Sequence, residues 1–216
     1  MNLLEVLHSR EDRSDDRSRY YGVVVGIVSN NQDPDGLGRV KVKFPWLVEQ
    51  DESNWARLAA PLAGSDRGLM MLPEVDDEVL VAFEQGDLRS PYVLGTLWNG
   101  VDKPPKEKSG DNDNNLRLIK SRSGHLIVLD DTSGSEKIEI IDKTGKNKIF
   151  IDSASNKLTL EVEGDIELKA PQGKIKLDAT DIEIQSSADT KIEAGGSMKV
   201  QATGTTDVKG ATVNLN

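Results

Sequence analysis

A chain of 216 residues in which 36% are apolar is long enough for one or two domains with a modest core. It contains no cysteine, which excludes a disulfide framework, a thiolate metal site and a cysteine nucleophile. Its formal net charge of −10 disfavours binding to nucleic acid or anionic lipid, since both attract clustered lysine and arginine.

The composition changes along the chain. All three tryptophans, all three tyrosines and seven of the eight prolines precede residue 106, so two architectures are predicted to join within residues 101–115. Residues 1–19 carry a small apolar cluster followed by a polar stretch, and are predicted to form a flexible arm or one ordered only against a partner. Neither a signal peptide nor a transmembrane run is recognisable, so the chain is expected to remain in the cytoplasm at first.

Residues 20–100 are predicted to form a small β-barrel. Mostly apolar or alternating runs are separated by clusters of Asn, Asp, Gly and Pro, and no convincing amphipathic helix interrupts them. Five strands within about eighty residues are typical of an oligonucleotide/oligosaccharide-binding (OB) barrel. The predicted strands cover residues 21–29, 39–44, 55–60, 78–84 and 92–98.

Two features of this barrel invite a ligand-binding interpretation. Asp33, Asp35 and Gly36 begin like a calcium-binding loop, but the Glu that should end such a loop is missing, so an Asx turn is predicted. The tryptophans could stack on bases or sugars, yet no basic groove accompanies them in the sequence. In so small a barrel, core or interface positions are the favoured interpretation for Trp46, Trp55 and Trp98.

The barrel sequence also carries a resemblance to a known family. Residues 33–42, 44–46, 55–57, 73–75, 78–84, 86–87 and 91–100 closely resemble, in order, the OB domain of the phage baseplate assembly protein V family. That family includes the central spikes of contractile phage tails and the VgrG spike of type VI secretion. The resemblance implies barrels that form a collar docking on a hub. The motif residues are Asp33, Pro34, Gly36, Gly38, Arg39, Phe44, Pro45, Trp46, Trp55, Pro73, Phe83, Gly86 and Gly95.

Residues 101–115 are rich in Lys, Pro, Asp and Asn and are predicted to be an exposed linker. In one tail spike of the family a lysozyme domain occupies this junction, and about fifteen residues are too few for any catalytic domain. VgrG proteins carry a large hub domain ahead of the barrel, where this sequence has only residues 1–19. The resemblance therefore implies a structural protein without a cofactor, whose hub is a separate chain.

Residues 116–216 are predicted to form a β-helix. Over residues 116–151 the resemblance continues with the first strands of a VgrG-type spike. From Leu158 onward, apolar-polar-apolar triplets recur every seven to ten residues between turn-forming residues, which is typical of stacked short strands.

Energetics favour sharing this β-helix among chains. Ordering eight or nine residues costs about 8 to 18 kcal/mol, whereas burying two or three aliphatic side chains returns about 3 to 9 kcal/mol. Three chains that each give one face to every rung can enclose a common core, so an intertwined homotrimer is predicted. Its core residues are Leu158, Leu160, Ile166, Leu168, Ile175, Leu177, Ile182, Ile184, Met198 and Val200.

The end of the sequence is similar to the blunt end of VgrG spikes, which accept a conical PAAR-repeat tip protein. The histidine pattern with which some phage needles hold a metal ion is missing. Exposed strand ends offer unpaired backbone groups for strand addition. The predicted docking residues are Ala211, Thr212, Val213, Asn214, Leu215 and Asn216.

His125 lies near Asp130 and Asp131 in the sequence, a combination that could support acid-base or metal chemistry. No second histidine and no nucleophile stands at a recognisable spacing, so no catalytic or metal-binding residue is predicted.

Three functions remain open from the sequence. The first is a structural homotrimeric spike at the centre of a phage tail, bacteriocin, extracellular injection particle or type VI system. Such a spike would contact a hub, a PAAR-repeat tip, baseplate and inner-tube proteins and, transiently, the target membrane. The second is an OB module for polysaccharide or single-stranded nucleic acid on a β-helical stalk, although the acidic charge argues against nucleic acid. The third is a β-helical glycan depolymerase, which would need paired acids and aromatic sugar platforms, whereas no Trp or Tyr follows residue 98.

Overall fold

The computed structural model describes residues 19–47, 52–108 and 110–214. In this part of the chain the regular structure is almost wholly β, with two short 3-10 turns besides the strands, which confirms the predicted all-β class. The chain divides into two units, Met1–Gly164 and Asp165–Asn216. The predicted arm lies outside the described residues except for Arg19, whose backbone forms an isolated antiparallel β-bridge with that of Asp87.

Twelve strands are found in the described residues, all within the first unit. The first seven are β1 (Val23–Asn30), β2 (Lys41–Lys43), β3 (Arg57–Leu58), β4 (Ala63–Gly64), β5 (Arg67–Gly68), β6 (Glu78–Phe83) and β7 (Pro91–Thr96). The remaining five are β8 (Leu116–Lys120), β9 (Leu126–Asp130), β10 (Lys137–Ile141), β11 (Lys148–Asp152) and β12 (Lys157–Glu161).

Five of these strands form an OB-like sheet in the order β2-β1-β6-β7-β3. Its neighbours pair antiparallel except for β3 and β7, which are parallel. The two edges of the sheet approach each other where Val40 and Ala56 exchange backbone hydrogen bonds of 3.0 and 2.7 Å. The five strands expected from the sequence are confirmed, although β2 and β3 are shorter than their apolar runs.

Alternation along the strands produces the barrel core. Every second residue of β6 is buried, and valine dominates the inward positions because β-branched side chains pack well on a pleated sheet. Gly26 takes one inward position of β1, where a Cβ would stand 2.3 Å from Cγ1 of Val42, so only a hydrogen fits. The core comprises Val28, Val40, Val42, Phe44, Ala56, Val79, Val81, Phe83 and Val93.

A small hairpin of β4 and β5 lies where the sequence predicts only a turn. Each of its strands has two residues, which is too short to show any periodicity. Leu62, Leu69 and Met70 flank the hairpin and are between 44% and 70% exposed. With the turn of residues 36–38 they border a groove of about 590 Å³.

One polar cluster ties the linker to the start of β8. Nζ of Lys108 donates hydrogen bonds to the carboxylate of Asp111, to Oδ1 of Asn114 at 2.8 Å and to the carbonyl of Leu116 at 3.0 Å. The Asp111 carboxylate also accepts the backbone N–H of Asn115 at 2.8 Å and of Leu116 at 2.9 Å. A polar composition thus predicts exposure correctly for most of the linker but does not reveal this cluster.

The strands β8 to β12 form an antiparallel meander in which each strand pairs with the next along the chain. Glycines with positive φ lie in three of its turns, at Gly124, Gly134 and Gly145. Leu158 and Leu160, predicted to belong to the first rung of the repeat, lie in β12 and pair with Ile151 and Ile149 of β11. Every strand pairing in this sheet therefore lies within one chain, and β8 and β12 are its edge strands.

The second unit has no strand pairing among its described residues, 165–214. The eight apolar residues of its predicted rungs are between 54% and 73% exposed. They are Ile166, Leu168, Ile175, Leu177, Ile182, Ile184, Met198 and Val200.

Candidate functional site

One face of the β8–β12 sheet carries exposed aliphatic side chains at every position except Arg117 of β8. The strand register arranges them in two adjacent rows that cross all or nearly all of the sheet. All nine side chains are between 39% and 62% exposed. A soluble protein rarely leaves so many contiguous apolar side chains in water unless they meet a partner. This aliphatic face comprises Leu158, Ile151, Ile138 and Leu129 in one row, and Leu160, Ile149, Ile140, Ile127 and Ile119 in the other.

The opposite face of the same sheet carries its own charged pairs. Lys148 bonds to Glu161 at 2.8 Å, and this hydrogen bond raises the pKa of Lys148. Lys137 lies 3.4 Å from Glu139, and Val128 in the middle of the face is only 6% exposed. This face thus mixes charged pairs with apolar side chains that are partly or fully buried, whereas the aliphatic face is exposed. The apolar residues of the opposite face are Leu116, Leu118, Leu126, Val128, Ile141 and Phe150.

Ion pairs also flank apolar residues in the second unit. Glu167 and Lys169 form an ion pair of 2.6 Å around Leu168, and Lys191 and Glu193 form another of 2.6 Å around Ile192. In a β-strand, residues two apart lie on the same side. The sequence at these two places thus has the alternation of a strand with one charged side and one apolar side.

The turn of residues 33–39 is organised by one carboxylate. Asp33 accepts backbone N–H groups of Asp35 at 3.1 Å, Leu37 at 3.0 Å and Arg39 at 3.2 Å. It also accepts Nε and Nη2 of Arg39 at 2.9 and 2.7 Å. The hydrogen bonds from Arg39 hold the pKa of Asp33 well below its usual range and raise that of Arg39. Both oxygens are engaged by N–H donors, which confirms the Asx turn.

Aromatic rings gather at one end of the barrel. The Tyr20 and Trp46 ring centroids are 4.7 Å apart, and those of Phe44 and Phe83 are 5.5 Å apart. Trp46 lies 5.8 Å from Phe44, so the cluster is continuous with the core. This agrees with core or interface positions better than with a ligand platform.

The other two tryptophans have different surroundings. Trp55 lies beneath two cations, with the Arg39 guanidinium 5.8 Å and the Lys41 ammonium 5.5 Å from its ring. Trp98, at 69% exposure, is the one described tryptophan that stands mostly in solvent.

The remaining motif residues of the barrel serve its turns. Gly36, Gly38 and Gly86 have φ values of +67°, +69° and +79°, which glycine adopts without strain. The carbonyl of Pro73 accepts Nδ2 of Asn31 at 3.1 Å. Pro34 and Pro45 lie in turns, whereas Gly95 lies within β7, where a Cβ would meet no atom within 4 Å.

His125 and its neighbouring acids stabilise turns. Nδ1 of His125 accepts the backbone N–H of Lys143 at 3.2 Å. Asp130 accepts the Thr132 hydroxyl at 2.6 Å, and Asp131 pairs with Arg117 at 3.0 Å. Within residues 19–47, 52–108 and 110–214, no group of three or more His, Asp or Glu is placed to hold a metal ion.

The predicted tip-docking residues are described only in part. Ala211, Thr212, Val213 and Asn214 are exposed, and Leu215 and Asn216 lie outside the described residues. No helix among the described residues has the length and apolar character needed to cross a bilayer.

Sequence reasoning did not identify the aliphatic face. Its signal is nevertheless present, because Ile127 and Leu129, Ile138 and Ile140, and Ile149 and Ile151 repeat the same alternation that marks the later rungs. Pairing these runs in antiparallel register brings them onto one side of a sheet.

The comparisons with known proteins define the class of the barrel. Residues 24–98 match the family of the type VI secretion system/phage-baseplate injector OB domain. The barrel therefore belongs to this family, and the chain is a VgrG-like protein related to the spikes and baseplates of contractile injectors.

Individual relatives are spike proteins of type VI secretion systems. The chain is 31% identical to VgrG1b of Pseudomonas aeruginosa over 148 residues, which are 66% of this chain and 19% of that protein. It is 30% identical to VgrG1a of the same organism over 151 residues, 68% of this chain and 22% of the relative. VgrG3 of Vibrio cholerae is 32% identical over 111 residues, 48% of this chain and 11% of the relative. The matched stretch thus spans about a fifth or less of each relative's length.

Proposed function

We propose that this protein is the homotrimeric central spike of a contractile injection machine. The observation that carries the proposal is the aliphatic face, nine exposed apolar side chains on one side of a sheet. Covering about half of each aliphatic side chain returns about 1 kcal/mol apiece, hence on the order of 10 kcal/mol per copy. Three copies that turn this face to a common axis would enclose a core that a single sheet lacks.

A separate observation in the second unit also supports association with other copies of the chain. Its backbone has no strand pairing among residues 165–214, and unpaired backbone groups favour pairing with other chains. The ion pairs around Leu168 and Ile192 fit the alternation of strands with one charged side. We infer that residues 165–216 continue the trimer as an intertwined β-helix in which the rung residues from Ile166 to Val200 form the shared core.

The parts of the chain then have distinct roles. The arm of residues 1–19 and the barrel of residues 20–100 form a collar that docks on a separate hub protein among baseplate and inner-tube proteins. Residues 101–115 connect the collar to a shaft formed by residues 116–216. Residues 211–216 carry a PAAR-repeat tip, and the shaft concentrates the force of contraction to puncture the target envelope. Assembly takes place in the cytoplasm, before the spike leaves as part of the particle.

A matched pair of substitutions in β12 tests this function. Leu160 lies on the aliphatic face, and Thr159 lies on the opposite face of the sheet. Leu160→Asp would place three carboxylates in the apolar core. We therefore expect the dissociation constant of the trimer, measured by sedimentation equilibrium, to rise at least about tenfold. Thr159→Asp should remain as trimeric as the wild type. Equal behaviour of the two variants would contradict the proposed packing.

A further inference from the structure

A small groove lies beside the point where the chain enters the barrel. Its volume is about 200 Å³, and Phe44, Leu47 and Leu88 are its apolar lining residues. Phe44 is buried and Leu88 packs against the barrel core, whereas Leu47 is 37% exposed. Glu52 and Arg89 stand at its rim. We call this feature the entry groove.

The entry groove is at the end of the barrel away from the β8–β12 sheet. The turn that precedes β6 contacts this sheet, because Glu74 pairs with Arg122 of the β8–β9 turn at 3.0 Å. The loop that follows β6 supplies Leu88 and Arg89 to the groove. The two features thus lie at opposite ends of β6, and contact with the sheet leaves the groove uncovered.

The first described residue of the chain indicates where the preceding residues go. Arg19 forms an isolated antiparallel bridge with Asp87. In an antiparallel pair, the residues before one partner run in the same direction as the residues after the other. The residues after Asp87 are Leu88 and Arg89, so the chain before Arg19 is directed toward the entry groove.

The sequence before Arg19 supplies apolar side chains that match this lining. Leu3, Leu4, Val6 and Leu7 are close together, whereas the eleven residues 8–18 include no apolar residue. As a flexible coil, a tether of this length spans about 18 Å on average, which is enough to fold back onto a groove beside its attachment point. The tether also keeps the apolar cluster at an effective concentration in about the millimolar range.

The size and charge of the entry groove favour such a tethered apolar segment over another protein. A stable interface between proteins buries about 800 Å² on each side, far more than three apolar lining residues offer. Glu52 already pairs with Lys41 at 3.1 Å, and Arg89 with Asp87 at 2.9 Å. Because both rim charges are compensated within the barrel, the groove does not require a charged occupant.

We propose that the apolar cluster of residues 3–7 docks into the entry groove of its own barrel. The arm then covers Leu47 and Leu88 and closes the end of the barrel that the β8–β12 sheet leaves uncovered. This inference goes beyond the proposed function and does not depend on the trimer, because arm and groove belong to one chain.

Thiol reactivity tests this docking, because the natural chain has no cysteine. Leu47→Cys places a reporter thiol in the entry groove, and Leu62→Cys places one beside the β4–β5 hairpin. Full-length protein with either reporter is treated with a maleimide, once with the native arm and once with Leu4→Asp/Leu7→Asp. We expect these arm substitutions to make the thiol at position 47 react at least about tenfold faster and to leave position 62 unchanged.

The matched control is Ser9→Asp/Ser14→Asp, which adds the same charge within the polar tether. It should leave the thiol at position 47 as protected as it is with the native arm. Equal reactivity of position 47 with the native arm and with Leu4→Asp/Leu7→Asp would overturn the docking. An equal increase with the control would overturn it as well, because the effect would then follow charge alone.

Disulfide trapping identifies the chain that supplies the arm. Under mild oxidation, Leu4→Cys/Leu47→Cys should form its disulfide at least about tenfold faster than Leu4→Cys/Leu62→Cys and should migrate as a single chain without reductant. Equal rates would show that the cluster has no preferred place on the barrel, and chains linked in pairs would show that a neighbouring copy fills the groove. Either result overturns the inference and leaves the proposed spike in place.

Discussion

The carboxylate of Asp111 shows how a single residue orders the junction between the barrel and the β8–β12 sheet. It accepts the Lys108 ammonium and the backbone N–H groups of Asn115 and Leu116. These donors, led by Lys108, lower its pKa to about 2. The sequence does not reveal the cluster because it depends on where a loop folds back, whereas the Asx turn at Asp33 uses local spacing and is predictable.

The low pKa predicts how the junction responds to acid. The folded-state pKa lies below the unfolded value of 3.8, so the stabilisation is present above about pH 4 and is lost as the pH falls towards 2. We expect the amide resonance of Leu116 to titrate with a midpoint near 2 by nuclear magnetic resonance. Asp111→Asn should abolish this titration. A midpoint close to 3.8 in the wild type would show that the cluster does not form.

At the scale of elements, two apolar-polar-apolar triplets show which strand pairing can be predicted from the sequence and which cannot. Leu158 and Leu160 have the same alternation as Ile166 and Leu168, yet only the first pair lies in a strand bonded within its own chain. Alternating apolar and polar residues predict a strand with one buried face, but the choice of partner strand depends on contacts distant in sequence. The barrel strands were predictable because clear turn residues separate them, and the two-residue strands β4 and β5 were not.

The last element of the chain carries a prediction of its own. Residues 211–216 are proposed to present strand ends to a PAAR-repeat tip, and their described part is exposed. We expect their deletion to leave trimer formation unchanged, because the aliphatic face and the other rungs remain. Binding of a purified PAAR-repeat protein in a pull-down should fall at least about tenfold. Unchanged capture by the truncated spike would refute docking at this end, and the full-length chain serves as the control.

For the whole molecule, two kinds of exposed surface lead to one account. The first unit presents an aliphatic face on the β8–β12 sheet, and the second unit has no strand pairing among residues 165–214. The proposed trimer would cover the first and pair the second with copies of the same sequence. The injector OB barrel and the VgrG relatives relate the chain to contractile machines.

The central claim is that the protein is a trimer, and its mass in solution tests this most directly. The chain has a mass of 23.6 kDa. Sedimentation equilibrium of the purified full-length protein at neutral pH should return three times that value, with no dependence on loading concentration in the micromolar range. A single species with the mass of one chain would contradict the account.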